Sequence, residues 1–408
     1  MPSAAELIAL VDPQAARTAL AGVAIRTPTI PSDELSELAG SKVVLKAECL
    51  QRSGSFKLRG ALAKIATLDA GARAVIGASA GNHARALALA ARARGLECEV
   101  FMPRDAAVSK VAAVADLGAA VHLEGESVDD AVELAVARAG ETGAAFVHPF
   151  DDLDVIAGQG TLALELLEDL QDLARVIVPV GGGGLASGIA VALRRADAQT
   201  ELVGVQAEAC APLAHELGGE EPASRGALAP GATIADGIAI KRPGALTRTL
   251  LRECMQRALT VAEDEIADAI VFLAEHARLV AEGAGAVTVA ALLGGRLEPV
   301  AGTTVAIVSG GNIDGGLLAG LLRRHETEKG RRMRVFTRVP DRPGGLAELL
   351  AVVAHGRANL IAIEHLREAV PLHVRETGVE LTLETRGAEH AEELLAALRA
   401  AGYEAQTR

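Results

Sequence analysis

The stretch Gln51-Arg52-Ser53-Gly54-Ser55-Phe56-Lys57-Leu58-Arg59-Gly60 puts one lysine directly behind a small, polar, turn-forming run. Ser53-Gly54-Ser55 reads as a loop. Leu58, Ala61, Leu62, Ile65 and Leu68 then repeat at helical spacing, which predicts Lys57 in the first turn of a helix. There the positive end of the helix dipole and partial burial both disfavour an ammonium, and a neutral amine can condense with a carbonyl. An ordinary surface lysine would fit the same local pattern. Lysine is scarce here, however. Lys42, Lys46, Lys57, Lys64, Lys110, Lys241 and Lys329 are the whole set, and arginine, which stays protonated, carries most of the positive charge.

Other stretches offer backbone N–H groups to an anion. Gly181-Gly182-Gly183-Gly184 lies between an apolar strand and a helix, where glycine lets the backbone approach a ligand and a helix start suits a phosphate. The same residues match the relaxed dinucleotide fingerprint Gly181-x-Gly183-x-x-Ala186, with Glu208 at about the expected distance. Gln206 stands where the acid should end the next strand, and the run lies mid-chain, so that rival reading is weak. Ser79-Ala80-Gly81-Asn82-His83 is a second strand-to-helix turn, suited to a carboxylate. His83 also reads as an ordinary first-turn residue. Ser309-Gly310-Gly311-Asn312 is a third, at the carboxyl end of a strand, where open α/β sheets place ligands. The remaining histidines lack metal-ligand spacing, and Asp151-Asp152-Leu153-Asp154 reads as a solvated turn.

The elements that must hold these loops alternate. Strands are predicted at 42–46, 74–78, 98–102, 120–123, 144–147, 175–180, 201–205 and 303–308. Helices are predicted at 84–94, 108–117, 128–139, 161–170, 185–195 and 263–279, with helical periodicity also over 5–22, interrupted at Asp12-Pro13. This order implies right-handed crossovers and parallel sheet covered on both faces. Residues 218–233, rich in Gly, Ala and Pro, read as a surface loop. The charged run His325 to Arg332 reads as a linker, and beyond it the order βαββαβ describes a ferredoxin-like unit.

Half of the 408 residues are hydrophobic but only 2% are aromatic, so the core must be built from Ala, Val, Leu and Ile. A net charge of -13 argues against nucleic-acid and anionic-membrane partners. Cys49, Cys98, Cys210 and Cys254 lie far apart, and reduced thiols are expected. The first ten residues lack a basic region, and no apolar run reaches spanning length, so a cytoplasmic protein is expected. The expected assembly is a homodimer or homotetramer.

Jointly, the loops Ser53 to Lys57, Ser79 to His83 and Gly181 to Gly184 resemble the lysine, asparagine and phosphate loops of the threonine dehydratases, in the fold-type II family of pyridoxal-phosphate enzymes. Thr233 to Lys241, Glu282-Gly283-Ala284-Gly285-Ala286 and Ser309 to Asn312 continue the likeness, which covers roughly residues 5–325. The C-terminal part resembles an ACT domain through Asp341-Arg342-Pro343-Gly344-Gly345-Leu346 and Ala358-Asn359-Leu360-Ile361. The resemblance implies an α/β fold of the tryptophan synthase β type. A catalytic domain at 1–325 would carry an inserted small subdomain at about 52–150, followed by a linker at 326–332 and an ACT domain at 333–408.

It also implies roles. Lys57 would hold pyridoxal phosphate as a Schiff base and shuttle the Cα proton. Phe56, Asn82, Gly181 to Gly184, Leu185, Glu282, Ser309 and Gly310 would bind the cofactor. Ser309 would face the pyridine nitrogen and leave it largely neutral, which suits β-elimination. Ser55, with Ser79, Ala80, Gly81, Asn82, His83 and Gly237, would bind the amino-acid substrate. Threonine would give 2-oxobutanoate and ammonia, and serine would give pyruvate. Asp341, Pro343, Gly344, Leu346 and Asn359 would bind an amino-acid effector. Serine racemases, close relatives, are expected to carry a serine where this chain has Ala80, and to bind a divalent metal near positions that Gln206 and Pro212 fill here. No metal is therefore expected. A racemase, a serine dehydratase, a nicotinamide-dependent oxidoreductase and a non-catalytic amino-acid sensor are the competing readings.

Overall fold

The structure is a computed structural model that describes residues 2–218, 233–367 and 373–407. All but the ends of the loop expected at 218–233 lie outside the described residues. The chain divides into two compact units, Met1–Ile313 and Asp314–Arg408.

In the first unit the strands are β1 (Thr29–Pro31), β2 (Val43–Ala47), β3 (Ala74–Ala78), β4 (Glu97–Met102) and β5 (Ala120–Leu123). They continue with β6 (Ala145–Phe146), β7 (Leu173–Pro179), β8 (Glu201–Ala207), β9 (Arg257–Val261) and β10 (Thr303–Val308). The helices begin with α1 (Ala4–Leu10), α2 (Pro13–Leu20), α3 (Asp33–Ala39), α4 (Lys57–Ala66), α5 (Asn82–Arg94) and α6 (Val108–Ala115). After them come α7 (Val128–Thr142), α8 (Leu153–Asp169), α9 (Gly184–Arg195), α10 (Pro212–Glu216), α11 (Ala245–Cys254), α12 (Glu263–Phe272) and α13 (Gly283–Leu293).

Two sheets result. The larger runs β1-β2-β10-β7-β8-β9 and the smaller β5-β4-β3-β6. Every pairing in them is parallel except β1 with β2. β2 and β10 are buried at every position, as expected for strands covered on both faces. Their register, Val44 against Val305 and Ala47 against Val308, carries both strand ends to the same edge of the sheet. The Asp12-Pro13 interruption is a helix start. Asp12 accepts from the N–H groups of Gln14 and Ala15, and Pro13 occupies the first position of α2.

α8 begins earlier than the expected 161, because Gly158 and Gly160 mark close approach rather than a break. A Cβ at Gly158 would strike the carbonyl of Arg59 in α4, and one at Gly160 the carbonyl of Gly188 in α9. Beneath α4 lies a buried ionic cluster. Arg59 donates to Glu48 at 2.9 and 2.7 Å and to Glu165 at 2.7 and 3.1 Å, while Lys46 donates to Glu165 at 2.6 Å. α3, α11, α13 and β9 are elements that periodicity did not delimit. The helix expected to run through 279 ends as a π-helical turn at Leu273–Ala277. Among the described residues no helix is long and apolar enough to cross a membrane.

The second unit opens with α14 (Gly315–Glu328), then β11 (Arg332–Pro340), α15 (Gly345–His355), β12 (Asn359–Leu366), β13 (Glu376–Glu384), α16 (Ala388–Ala400) and β14 (Gln406–Thr407). The sheet is antiparallel, ordered β12-β13-β11-β14, and it shares one apolar core with both following helices. The βαββαβ reading matches this order. The expected linker does not: His325 to Glu328 form the last turn of α14, where Arg324 pairs with Glu328 at 2.7 Å, and the unit boundary falls at 313/314. Only the first half of the charged run lies on that helix; Lys329 caps it and Arg332 opens β11.

The expected effector residues do not converge within this unit. Asp341, Pro343, Gly344 and Leu346 lie in or just beyond the turn after Pro340, with Asp341 held by Arg367 at 3.1 Å. The register places Asn359 opposite Glu384, which itself faces Arg332 at the far end of β11, and its amide donates to Glu384 at 3.1 Å.

Candidate active site

Because β2 and β10 are neighbours, the loops leaving them meet. The Phe56 N–H donates to the Ser309 carbonyl at 3.1 Å, the Gly311 N–H to the Gly54 carbonyl at 2.9 Å, and the Asn312 amide to the Ser53 carbonyl at 3.1 Å. This seam fixes Lys57, the first residue of α4, against the end of β10. The Lys57 amine donates to the Pro149 carbonyl at 2.8 Å and lies 5.2 Å from the centre of the Phe56 ring. Burial lowers it to about 8, against an upward pull from the Glu282 carboxylate. The amine is still mostly protonated at neutrality, but its neutral, nucleophilic form is far more populated than that of an exposed lysine.

From the smaller sheet, the β3–α5 turn faces the lysine loop. Asn82 donates to Glu282 at 2.5 Å and accepts from the Asn312 amide. A Cβ at Gly237 would lie 3.7 Å from the Glu282 carboxylate and 3.9 Å from the Asn82 amide, so Gly237 belongs to the same group. Glu282 is pushed up to about 7, first by burial and then by Asp236, and lowered by the Asn82 hydrogen bond. Asp236 is itself paired with Lys110 of α6 at 2.6 Å. Ser79 accepts from the Gly81 N–H at 3.0 Å, which shapes the turn. His83 does not join this group. Its imidazole donates to the Val147 carbonyl at 2.9 Å, and burial takes it down to about 3, so only its backbone remains beside the turn.

The glycine run sits at the β7–α9 junction. Gly183 adopts φ 92°, and a Cβ at Gly182 would enter the Phe150 ring. Among the described residues, the N–H groups of 181 to 185 have no hydrogen-bond acceptor. Leu185, buried, contributes its N–H in the first turn of α9. Ser309 is buried, and its hydroxyl donates to the Ala284 carbonyl at 3.3 Å. Gly310 leaves room for Glu282, whose carboxylate a Cβ there would meet.

These residues fit pyridoxal phosphate. The free N–H groups ahead of α9 suit its phosphate, and the Lys57 amine suits its aldehyde. The Ser55 hydroxyl is fully buried and without a partner among the described residues, which a substrate carboxylate would correct.

Sequence reasoning missed the segment after β6. Pro149 receives the lysine, Phe150 underlies the glycine run, and Asp151 caps α11 by accepting from the N–H groups of Ala245, Leu246 and Thr247 at 2.9, 3.0 and 3.1 Å. Asp152 caps α8 and pairs with Lys64 at 2.7 Å. The expected solvated turn is thus a double helix cap. Its position at a strand's carboxyl end, shared with the other loops, was the signal available. Gln206 is fully enclosed, donating to the Val180 carbonyl at 3.0 Å and accepting from the N–H groups of Leu213 and Ala214 at 2.9 Å each.

Comparison with known proteins agrees with this geometry. The family model "Pyridoxal-phosphate dependent enzyme" matches residues 20–310. An L-threonine ammonia-lyase of Thermotoga maritima is 46% identical over 401 residues, covering 98% of this chain and 99% of that protein. The L-threonine dehydratase catabolic TdcB of Escherichia coli is 41% identical over 75% of this chain and 94% of its own length. A crystal structure of a threonine deaminase from T.th. superimposes with a TM-score of 0.67 at 38% identity, covering 77% of this chain and 99% of that one. The nicotinamide reading, which leaves Lys57 idle, is overturned by the family match. With that match over most of the first unit, the chain belongs to the pyridoxal-phosphate-dependent enzymes.

Proposed function

We propose that the protein is an L-threonine ammonia-lyase, forming 2-oxobutanoate and ammonia by β-elimination of water and hydrolysis of the resulting enamine, and acting on L-serine in the same way to give pyruvate. The observation that carries this reading is the Lys57 amine, lowered to about 8 and set in a loop seamed to Ser309–Gly311. Near-complete alignment with a relative named L-threonine ammonia-lyase supports it.

Bound there, pyridoxal phosphate supplies an electron sink for the pair left when the Cα proton departs. The chain's own groups do the rest. The N–H groups from Gly181 to Leu185 hold the phosphate, and Phe56 and Gly310 shape the space beside the ring. The Asn82 amide, aimed by Glu282 and Asn312, is the donor for the ring oxygen. Ser309 offers a neutral hydroxyl to the ring nitrogen. The Ser55 hydroxyl and the N–H groups of Ser79 to Asn82 hold the substrate carboxylate. The Lys57 amine would then take the Cα proton on its Nζ and return a proton to the β-hydroxyl, which would leave as water. Ala80 offers no acid or base, which favours elimination over racemisation. The second unit would regulate the first through an amino acid.

The test is purified protein with L-threonine, measured by 2-oxobutanoate release and by the visible spectrum. Oxo acid with a visible band is expected. A band without oxo acid would refute the lyase assignment and point to racemase or β-replacement chemistry.

A further inference from the structure

We propose that His148 is a positioning residue whose neutral ring builds the turn 147–151, and that this turn couples the reactive lysine to the phosphate-binding glycines. The inference rests on the reading that the glycine run holds the cofactor's phosphate.

One short segment touches every part of that machinery. Its Pro149 carbonyl receives the Lys57 amine at 2.8 Å. Its Phe150 ring fills the space that makes glycine necessary at Gly182. Its Asp151 caps α11, and from the first turn of α11 the Thr247 hydroxyl donates to the Gly182 carbonyl at 2.7 Å. A shift in this turn would therefore move the lysine's partner and the phosphate cradle together.

His148 is what closes the turn. Its Nδ1 accepts from the N–H of Phe150 at 3.2 Å and from the N–H of Asp151 at 2.7 Å. Backbone N–H groups can only donate, so this nitrogen must carry a lone pair and the ring must be neutral. The ring stands edge-on to Phe146 and Phe150, with centroids at 6.1 and 4.7 Å, which leaves little room to rotate. A proton on Nδ1 would oppose two donors to a third and leave both half-buried N–H groups without this acceptor.

The charged and titratable groups facing it are Lys57 from α4, His83 from α5, and Asp151 and Asp152 from its own turn. Burial favours the neutral ring most, Lys57 adds to that, and the two aspartates oppose it. Protonation is therefore held off at neutrality and opens the turn on acidification.

The test uses the full-length protein as wild type, His148→Asn and His148→Leu. Each is stripped of cofactor and titrated with pyridoxal phosphate from about pH 5 to 8 by its visible band, with thermal melts alongside. An asparagine amide oxygen replaces the Nδ1 acceptor and does not titrate. His148→Asn is expected to match wild-type affinity near pH 8 and to lose part of the weakening that acid causes in wild type. His148→Leu is expected to bind roughly tenfold more weakly even at pH 8, having lost both acceptor contacts.

Identical acid dependence in wild type and His148→Asn would overturn the proposal, as would wild-type affinity in a folded His148→Leu. If His148→Leu fails to fold, the comparison of wild type with His148→Asn decides alone. A wild-type protein that binds pyridoxal phosphate yet does not consume threonine would remove the reaction assignment and leave this inference standing.

Discussion

At the scale of residues, Lys57 combines a short reach with a softened charge. An amine brought to about 8 is a fair nucleophile at neutrality, whereas an exposed lysine is almost wholly protonated. Two consequences follow for one position. Acetic anhydride labelling of the cofactor-free protein, read by mass spectrometry, should modify Lys57 with a rate that climbs with pH and levels off above about 8, because the neutral form is the reactive one. Lys57→Ala should lose threonine turnover while its circular dichroism and melting stay those of a folded protein. Retained turnover in that variant would remove Lys57 from the chemistry. The groups that sequence alone revealed are those whose residue type is itself the signal: a lysine behind Ser-Gly-Ser, an asparagine opening a helix, a glycine run. Pro149 escaped because a main-chain carbonyl carries no residue signature, and the ring of His83 turns inward, as its reading as an ordinary first-turn residue allows.

At the scale of elements, what positions Lys57 is the ionic cluster two residues further along α4. Arg59 and Lys46 share Glu165, and Glu48 completes a balanced set with little access to water. Such a set stabilises modestly when whole and is damaging when broken, since a deleted partner strands a buried charge. Glu165→Ala should cost about 3–5 kcal/mol of stability, measured by urea denaturation. A loss under about 1 kcal/mol would show that water reaches the cluster. The strand–helix alternation was legible because parallel strands are written as short apolar runs. The start of α8 was not, because Gly158 and Gly160 look like breakers when the helices they must admit are distant in sequence.

At the scale of the whole molecule, the chain folds as two compact units, and the proposed reading gives each its own task. A dehydratase relative aligns over 94% of its own length with only 75% of this chain, so the activity it is named for does not require everything present here. Deleting residues 331–408 should therefore leave threonine turnover in place and abolish the response to an amino acid such as isoleucine or valine. An unchanged response in the shortened protein would exclude the second unit as the sensor. The ferredoxin-like order was readable from alternation and turns. The place where the units part was not, because a charged run describes a solvated helix face as well as it describes a linker.

The seam between Gly54 and Gly311 also sets a timetable for synthesis. β2 emerges from the ribosome early, yet its parallel partner in the large sheet, β10, is the last strand of the first unit to be made. Until Thr303 to Gly311 have emerged, the lysine loop lacks the partners of this seam, and the burial that lowers Lys57 should be incomplete. A nascent or prematurely terminated chain should therefore expose a less reactive amine to free aldehydes than the finished unit does. The lysine on which the proposed chemistry turns reaches its buried setting only when that seam has closed.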